Sequence, residues 1–373
     1  MPGWRAGDPV GRRRTVGVGT ITLEARGALP DVEVAYETWG TLNAARDNAV
    51  LVLHALTGDS HVAGPAGPGH PTPGWWDALV GPGRPLDTDR WFVVAPNVLG
   101  GCQGTTGPSS AAPDGRAWGS RFPFITVRDQ VEAEVRLADQ LGIESWASVI
   151  GGSMGGMRVL EWAVTHPQRL RSAVVLASAA AASAEQIAWC QPQLLAIRSD
   201  PHWAGGDYHH ADGPGPQTGL GIARRIAHVT YRSEQELADR FGRSAQGEEQ
   251  PIGGSGRYAV ESYLDHHAAK LARRFDAGSY VVLTEAMSSH DVGRGRGGAT
   301  AALARVTCDL VVAAVDTDRL YPPRLSQEIV AAAPTARPLR TIHSPYGHDG
   351  FLIETAQVGE LVREALPADV RCR

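Results

Sequence analysis

The sequence predicts an α/β fold: a mostly parallel central sheet flanked by helices, with a largely helical insertion late in the chain. Three observations carry this. Val50-Leu51-Val52-Leu53, Trp91-Phe92-Val93-Val94-Ala95, Ala173-Val174-Val175-Leu176-Ala177 and Leu310-Val311-Val312-Ala313-Ala314-Val315 are continuous apolar runs of the kind that parallel strands, buried on both faces, require. Helical periodicity alternates with them, which places helices on the sheet faces. Finally, Gly151-Gly152-Ser153-Met154-Gly155 stands where an apolar run ending at Ile150 meets a helical stretch from Met157 to Val164.

Taken in order, Arg12-Arg13-Arg14 falls in a segment, 1–15, with no apolar signal core after it. It reads as a solvated, flexible arm. Thr20–Glu24 and Val32–Tyr36 alternate apolar and polar, as half-exposed strands do. Over 126–141, Val127, Val131, Val135, Leu137, Ala138 and Leu141 share one broad helical face. Residues 179–200 are Ala-rich and helical, and 201–218 are rich in Gly, Pro and His. Helical stretches follow near 219–242 and 257–290, separated by a Gly-rich loop at 243–256 that reads as mobile. The sheet pattern then resumes, and a helix from about Gly350 to Leu366 closes the chain. The expected units are the arm at 1–15, an α/β catalytic unit from 16–177 with 301–373, and a helical unit at 178–300.

Composition narrows the function classes. The 373 residues are 43% hydrophobic and 20% charged, with a net charge of −5, which speaks for a globular chain and against a nucleic-acid partner. No apolar run reaches membrane-span length, so no membrane partner is expected. The four cysteines are scattered and fit reduced thiols in a cytoplasmic enzyme. The pairs His209-His210 and His266-His267 lack any familiar ligand spacing, and no metal is expected; surface or packing roles suit these histidines better.

Gly-x-Ser-x-Gly on a strand-to-helix turn is a nucleophile elbow. It lifts the Ser153 hydroxyl clear of the sheet and aims helix N-terminal N–H groups at an adjacent oxyanion. A serine hydroxyl is a poor nucleophile near neutral pH and needs a base oriented by a carboxylate. In this fold class the acid and then the histidine follow the serine in the chain. Asp318, just past the run 310–315, is the expected acid, with Asp316 its competitor. His348, in a loop flanked by Gly347 and Gly350, is the expected base, whereas His343 lies nearer a strand and is expected to be packed. The second oxyanion donor is expected from the loop after the early strand, as the N–H of Leu56 or Thr57, paired with that of Met154.

Longer motifs make the reading narrower. Asn97-Val98-Leu99-Gly100-Gly101-Cys102-Gln103-Gly104-Thr105-Thr106-Gly107-Pro108-Ser109-Ser110, Gly151–Met157, Glu161-Trp162-Ala163, Gly206-Asp207-Tyr208, Thr230-Tyr231-Arg232-Ser233, Arg274-Phe275-Asp276, Asp318–Pro322 and Gly347-His348-Asp349 occur in order. With these the chain resembles the homoserine O-acetyltransferases of the α/β-hydrolase superfamily from about residue 16 onward. The resemblance implies a ping-pong transfer in methionine biosynthesis. Ser153 takes acetyl from acetyl-CoA as cosubstrate, and the hydroxyl of L-homoserine then attacks the acyl-enzyme with His348 as base. No permanently bound cofactor is implied. The resemblance also implies that Asp349 holds the substrate ammonium and Arg224 its carboxylate, with Arg225 as the adjacent alternative. Tyr231, seven residues from Arg224 and so about two helical turns away, would line the same wall. The helical unit would form a lid, a tunnel for the pantetheine arm and a homodimer contact.

Two other outcomes stay open from sequence. A succinyl-CoA donor would want a cation near Ser153. Arg158 is the candidate, although its place on the elbow helix suggests an exposed face pointing away. An esterase would keep the triad, release the acyl group to water, and have no use for Arg224 or Asp349.

Overall fold

The computed structural model describes residues 3–210, 213–248, 250–253 and 255–368. Eight strands form one sheet: β1 (Arg14–Thr22), β2 (Ala28–Trp39), β3 (Ala49–Leu53), β4 (Phe92–Pro96), β5 (Ser148–Gly152), β6 (Ser172–Leu176), β7 (Asp309–Val315) and β8 (Arg340–Ile342). Their spatial order is β1-β2-β4-β3-β5-β6-β7-β8. Only β2 runs against the others; the pairings from β4 to β8 are all parallel. A short parallel pair, Val80–Gly81 with Leu86–Asp87, stands apart.

The continuous apolar runs are explained by two packed faces. Leu51, Val149, Val175 and Val312 point into one core, which α1 (Val127–Gln140) and α2 (Met154–Thr165) cover. Their neighbours Val50, Val52, Ile150, Val174 and Val311 point into a second core on the opposite face. With both faces buried, no position on these strands has water to favour a polar side chain. Thr126 opens α1 with a capping box: its hydroxyl accepts from the Asp129 N–H, and the Asp129 carboxylate accepts from the Thr126 N–H at 2.8 Å.

Between β6 and β7 the described residues hold helices and no strand: α3 (Ala184–Arg198), α4 (Gln217–Tyr231), α5 (Glu234–Phe241), α6 (Ala259–Arg274), α7 (Ala277–Ser288) and the short α8 (Ala299–Leu303). A third apolar cluster joins them to the sheet. Leu56 and Met154 from the sheet side meet Ile197 of α3, Leu220 and Ala223 of α4, Leu271 of α6 and Tyr280 and Leu283 of α7. The helical segment is thereby seated over the β5–α2 turn. After β7 come α9 (Pro323–Ala332), α10 (Gly350–Ile353) and α11 (Thr355–Ala365).

Three expectations are corrected. The segment 1–15 is exposed over 6–12, but it is not a solvated arm to its end, because β1 already starts at Arg14 and Arg13 is buried. The Arg13 guanidinium donates to Ser60 Oγ at 3.1 Å, to Gln103 Oε1 at 2.7 Å and to the Gly69 carbonyl at 3.0 Å. An arginine run reads as solvated only while its acceptors, here up to 90 residues away, are unknown. The closing helix is two helices, broken at Glu354, whose ψ of 57° is not helical. His343 is not packed: its side chain is 77% exposed and bonds only to Asp316 and its surroundings. Within the 243–256 loop an Ala245–Tyr258 bridge joins the two ends, while residues 249 and 254 lie outside the described ones, as do 211 and 212 of the 201–218 segment.

Candidate active site

Ser153 caps α2 with φ 56° and ψ −124°, a left-handed backbone that a serine adopts only when its surroundings impose it. Two contacts impose it: the Ser153 N–H donates to the Leu176 carbonyl at 2.9 Å, and its own carbonyl accepts from Ser178 Oγ at 2.8 Å. Glycine at 155 is a matter of space, since a Cβ there would collide with the Leu53 carbonyl. β3 and the elbow approach that closely because both feed the same pocket.

The structure brings the three expected groups together. His348 Nε2 lies 2.9 Å from Ser153 Oγ, and His348 Nδ1 lies 2.6 Å from Asp318 Oδ2. All three side chains are buried. The other Asp318 oxygen accepts from the Leu320 and Tyr321 N–H groups, both at 2.8 Å, so the carboxylate is fully engaged. Asp316, the competitor, bonds instead to His343 Nδ1 at 2.9 Å and to the Ser344 N–H. Thr317 fastens the acid loop to the histidine loop: its hydroxyl donates to the Ser344 carbonyl at 2.6 Å and accepts from the Gly347 N–H at 3.0 Å. Burial alone would push the His348 imidazole down. The Asp318 carboxylate outweighs it and holds the ring above the ordinary histidine range.

The oxyanion loop is fixed from behind. The Gly58 N–H donates to the Ala55 carbonyl at 2.9 Å, closing a turn that leaves the Leu56 and Thr57 N–H groups at its two central positions. Met154 is the first residue of α2, so its N–H has no partner within the helix. Arg274 donates to the Thr57 carbonyl at 2.7 Å, and Arg224 Nη1 stands 3.4 Å from Thr57 Oγ1. The His54 carbonyl, where the loop begins, accepts from Arg158. Arg158 is therefore corrected: it is not on an exposed face but wholly buried, with an ion pair to Glu134 at 2.6 Å. Its position on α2 faces α1, which also brings in a Trp162 bond to Glu134 at 2.8 Å.

Arg224 and Arg225 diverge as adjacent helical residues must. Arg225 turns outward to Asp265 at 2.5 Å. Arg224 turns inward over the Tyr231 ring at 5.5 Å, with a buried Nε that no described group accepts from. Tyr231 lies 5.7 Å from the His348 ring, and burial first, opposed by Arg224, leaves its phenol pushed up to about 12. Asp349 is on the same wall. Burial raises its carboxyl above the usual range against the pull of Arg232, whose Nε stands 3.3 Å away.

Sequence reasoning missed Arg232, Arg274, the Glu134–Arg158 pair and Tyr321. Tyr321 is fully buried and stacks on the His348 ring at 4.9 Å and 22°. The signal for it was present: three residues past Asp318, it is placed by the same turn that the Asp318 carboxylate caps. Arg232 stood within the Thr230–Ser233 motif, but its contact with Asp349, 117 positions away, could not be read from it.

Among the described residues, one histidine and carboxylate cluster is compact enough to consider for a metal. Glu37, His61 and His70 present ligand atoms within 4.8 Å of one another. Those atoms are already engaged: His61 Nδ1 meets Glu37 Oε2 at 3.1 Å, and His70 Nε2 accepts from the Arg12 N–H at 3.0 Å. With Arg13 bonded to Ser60, which itself donates to Glu37 at 2.8 Å, the cluster reads as an internal hydrogen-bond network. Of the sequence pairs, His209 meets Asp276 at 2.8 Å and His267 stacks on His228 at 3.9 Å, both internal contacts.

The family model for the alpha/beta hydrolase fold matches residues 48–355. A homoserine O-acetyltransferase of Thermobifida fusca is 65% identical over 364 residues, covering 97% of this chain and 96% of that one. The crystal structure of homoserine O-acetyltransferase from Bacillus anthracis superposes with a TM-score of 0.87 at 27% identity, over 97% of this chain and 99% of that one. Esterase E22 superposes about as well, with a TM-score of 0.86 at 27% identity over 95% and 99%.

Proposed function

The chain belongs to the homoserine O-acetyltransferase family, built on the α/β-hydrolase fold, and from that premise we propose that Ser153 carries an acetyl group from acetyl-CoA to the hydroxyl of L-homoserine. His348 Nε2 takes the Ser153 proton as Oγ attacks the thioester carbonyl. The oxyanion is held by the N–H of Met154 and that of Leu56 or Thr57. Collapse expels the CoA sulfur, which leaves with the proton from His348. In the second half the homoserine hydroxyl gives its proton to His348 and attacks the acyl carbonyl, and the same path returns Ser153 with its proton. Asp318 stabilises the imidazolium in both halves.

The observation that supports the acceptor assignment is a buried cation and a buried carboxylate near His348: Arg224, over the Tyr231 ring with its Nε unpartnered, and Asp349, beside Arg232. An α-amino acid needs a cation for its carboxylate and an anion for its ammonium, and a dry pocket magnifies both. An esterase has no use for such a pair. Arg158, the cation considered for a succinyl carboxylate, is buried and already paired with Glu134. The product, O-acetyl-L-homoserine, is a methionine precursor, which fits a cytoplasmic enzyme; no helix among the described residues is long and apolar enough to cross a membrane. Ile187, Leu195 and Ile222, exposed on α3 and α4, offer an apolar face for a homodimer formed through the helical segment. That segment excludes water, the rival acceptor, from the acyl-enzyme.

A matrix of acetyl-CoA and succinyl-CoA against L-homoserine, L-serine and water tests the reading. The acetyl-CoA and homoserine combination is expected to dominate. Faster turnover with succinyl-CoA would move the donor, and equal CoA release without any amino acid would make the protein a thioesterase.

A further inference from the structure

Arg232 has no part in the steps above, yet it is built into the wall that carries Asp349. It ends α4 with φ −103° and ψ 147°, so the chain leaves the helix there. The next residue, Ser233, accepts from the Glu236 N–H at 3.0 Å and donates its hydroxyl to the Pro345 carbonyl. Gly347 closes against the same turn: a Cβ on it would stand 2.7 Å from the Ser233 nitrogen and 2.8 Å from the Tyr231 carbonyl oxygen. The α4–α5 turn is thereby fastened to the histidine loop, and the Arg232 side chain has little choice of direction. Its guanidinium lies 5.8 Å over the Tyr346 ring, its Nε stands 3.3 Å from Asp349 Oδ2, and its Nη1 stands 3.9 Å from Glu236 Oε1. Glu236 has a nearer cation in Arg240, at 3.4 Å.

The contact with Asp349 is an ion pair and not a hydrogen bond, since the buried Arg232 Nε has no hydrogen-bond partner. Among the described residues Asp349 has no other ion pair and its carboxylate accepts no hydrogen bond. A secluded carboxylate with no cation would take up a proton and lose its hold on an ammonium. A carboxylate gripped by a two-pronged arginine fork would have its lone pairs committed. The geometry lies between these extremes. We propose that Arg232 is a positioning residue for the acceptor: it acts through Asp349, supplying the counter-charge that keeps this carboxylate an anion while leaving its oxygens free for the substrate ammonium. The proposal rests on the homoserine reading above. The charged groups around Asp349 agree with it. Burial raises its carboxyl, Arg232 opposes this first, His348 and Arg224 follow, and Asp318 acts the other way.

The test reads kcat/KM for L-homoserine and for acetyl-CoA against pH, in the purified wild-type protein and in Arg232→Gln and Arg232→Lys. Without the cation Asp349 holds its proton to higher pH. Arg232→Gln is therefore expected to lower kcat/KM for homoserine about tenfold near neutral pH, with the acid limb displaced upward and recovery on the alkaline side. The acetyl-CoA profile reports Ser153 and His348 without the ammonium, and should keep its acid limb. Arg232→Lys should restore most of the homoserine profile. If Arg232→Gln does not fold, Arg232→Met, which leaves no polar group to bury, carries the same expectations. Equal losses for both substrates at every pH, or a homoserine limb that does not move, would overturn the proposal and leave the function reading standing. A wild-type protein that acetylates no amino acid would sink the function reading, and the proposal with it.

Discussion

His348 sits between two opposed influences, burial and the Asp318 carboxylate, and the carboxylate prevails. The base works as the neutral imidazole, so turnover should fall as pH drops through a value above the ordinary histidine pKa of about 6.5. Asp318→Asn removes the upward pull; it should move that acid limb to lower pH and cut kcat by on the order of 10⁴-fold. A pH–rate profile checks both, and an unmoved limb would mean that Asp318 does not act through His348. At the amino-acid clamp, Asp349→Ala should raise the KM for homoserine about 10- to 100-fold, the range expected for one buried charged contact. Single-turnover acylation by acetyl-CoA should persist. Should acylation collapse with it, Asp349 positions its neighbour His348 and does not bind the ammonium. Position in the chain pointed to Asp318 rather than Asp316, although both reach the histidine loop: Asp316 at His343 and Ser344, Asp318 at His348. It could not rank Arg224 over Arg225, since adjacent residues on a helix differ only in what faces them.

The elements that hold these residues are tightly fitted. Gly155→Ala would force a methyl group against the Leu53 carbonyl at the meeting of β3 and α2. A loss of about 1–3 kcal/mol in urea unfolding is expected, with a larger fall in kcat because the Leu56–Thr57 turn follows β3 directly. Behind that turn, Arg158 ties α2 to α1 and to the His54 carbonyl. Glu134→Gln leaves the arginine buried without its counter-charge, and should destabilise by about 3–5 kcal/mol. A change below 1 kcal/mol would show that water reaches Arg158. The strands and the elbow were legible because a buried strand and a Gly-x-Ser-x-Gly turn are local patterns. The inward turn of Arg158 and the docking of Arg13 were not, since each depends on partners far away in the chain. The break at Glu354 was hidden for another reason: an apolar face continues across it, and only the backbone changes.

Across the whole molecule, one apolar cluster joins the sheet to the helices above it at the elbow itself. Leu56 and Met154, whose backbones are proposed to hold the oxyanion, have their side chains in that cluster. On the proposed reading, the choice between homoserine and water as acceptor depends on how well the helical segment seals the pocket against solvent. The insertion was recognisable from composition as a unit, while its seat on the elbow emerged only from packing among residues 56, 154, 220 and 271. The account's central claim is that Ser153 carries an acetyl group which homoserine, not water, removes. Intact-protein mass spectrometry after mixing with acetyl-CoA alone tests it most directly. The account predicts a gain of one acetyl group, mapped to Ser153, that persists until L-homoserine is added and then disappears with the appearance of O-acetyl-L-homoserine. An acetyl group that is lost equally fast without homoserine, or that never forms on Ser153, would contradict it.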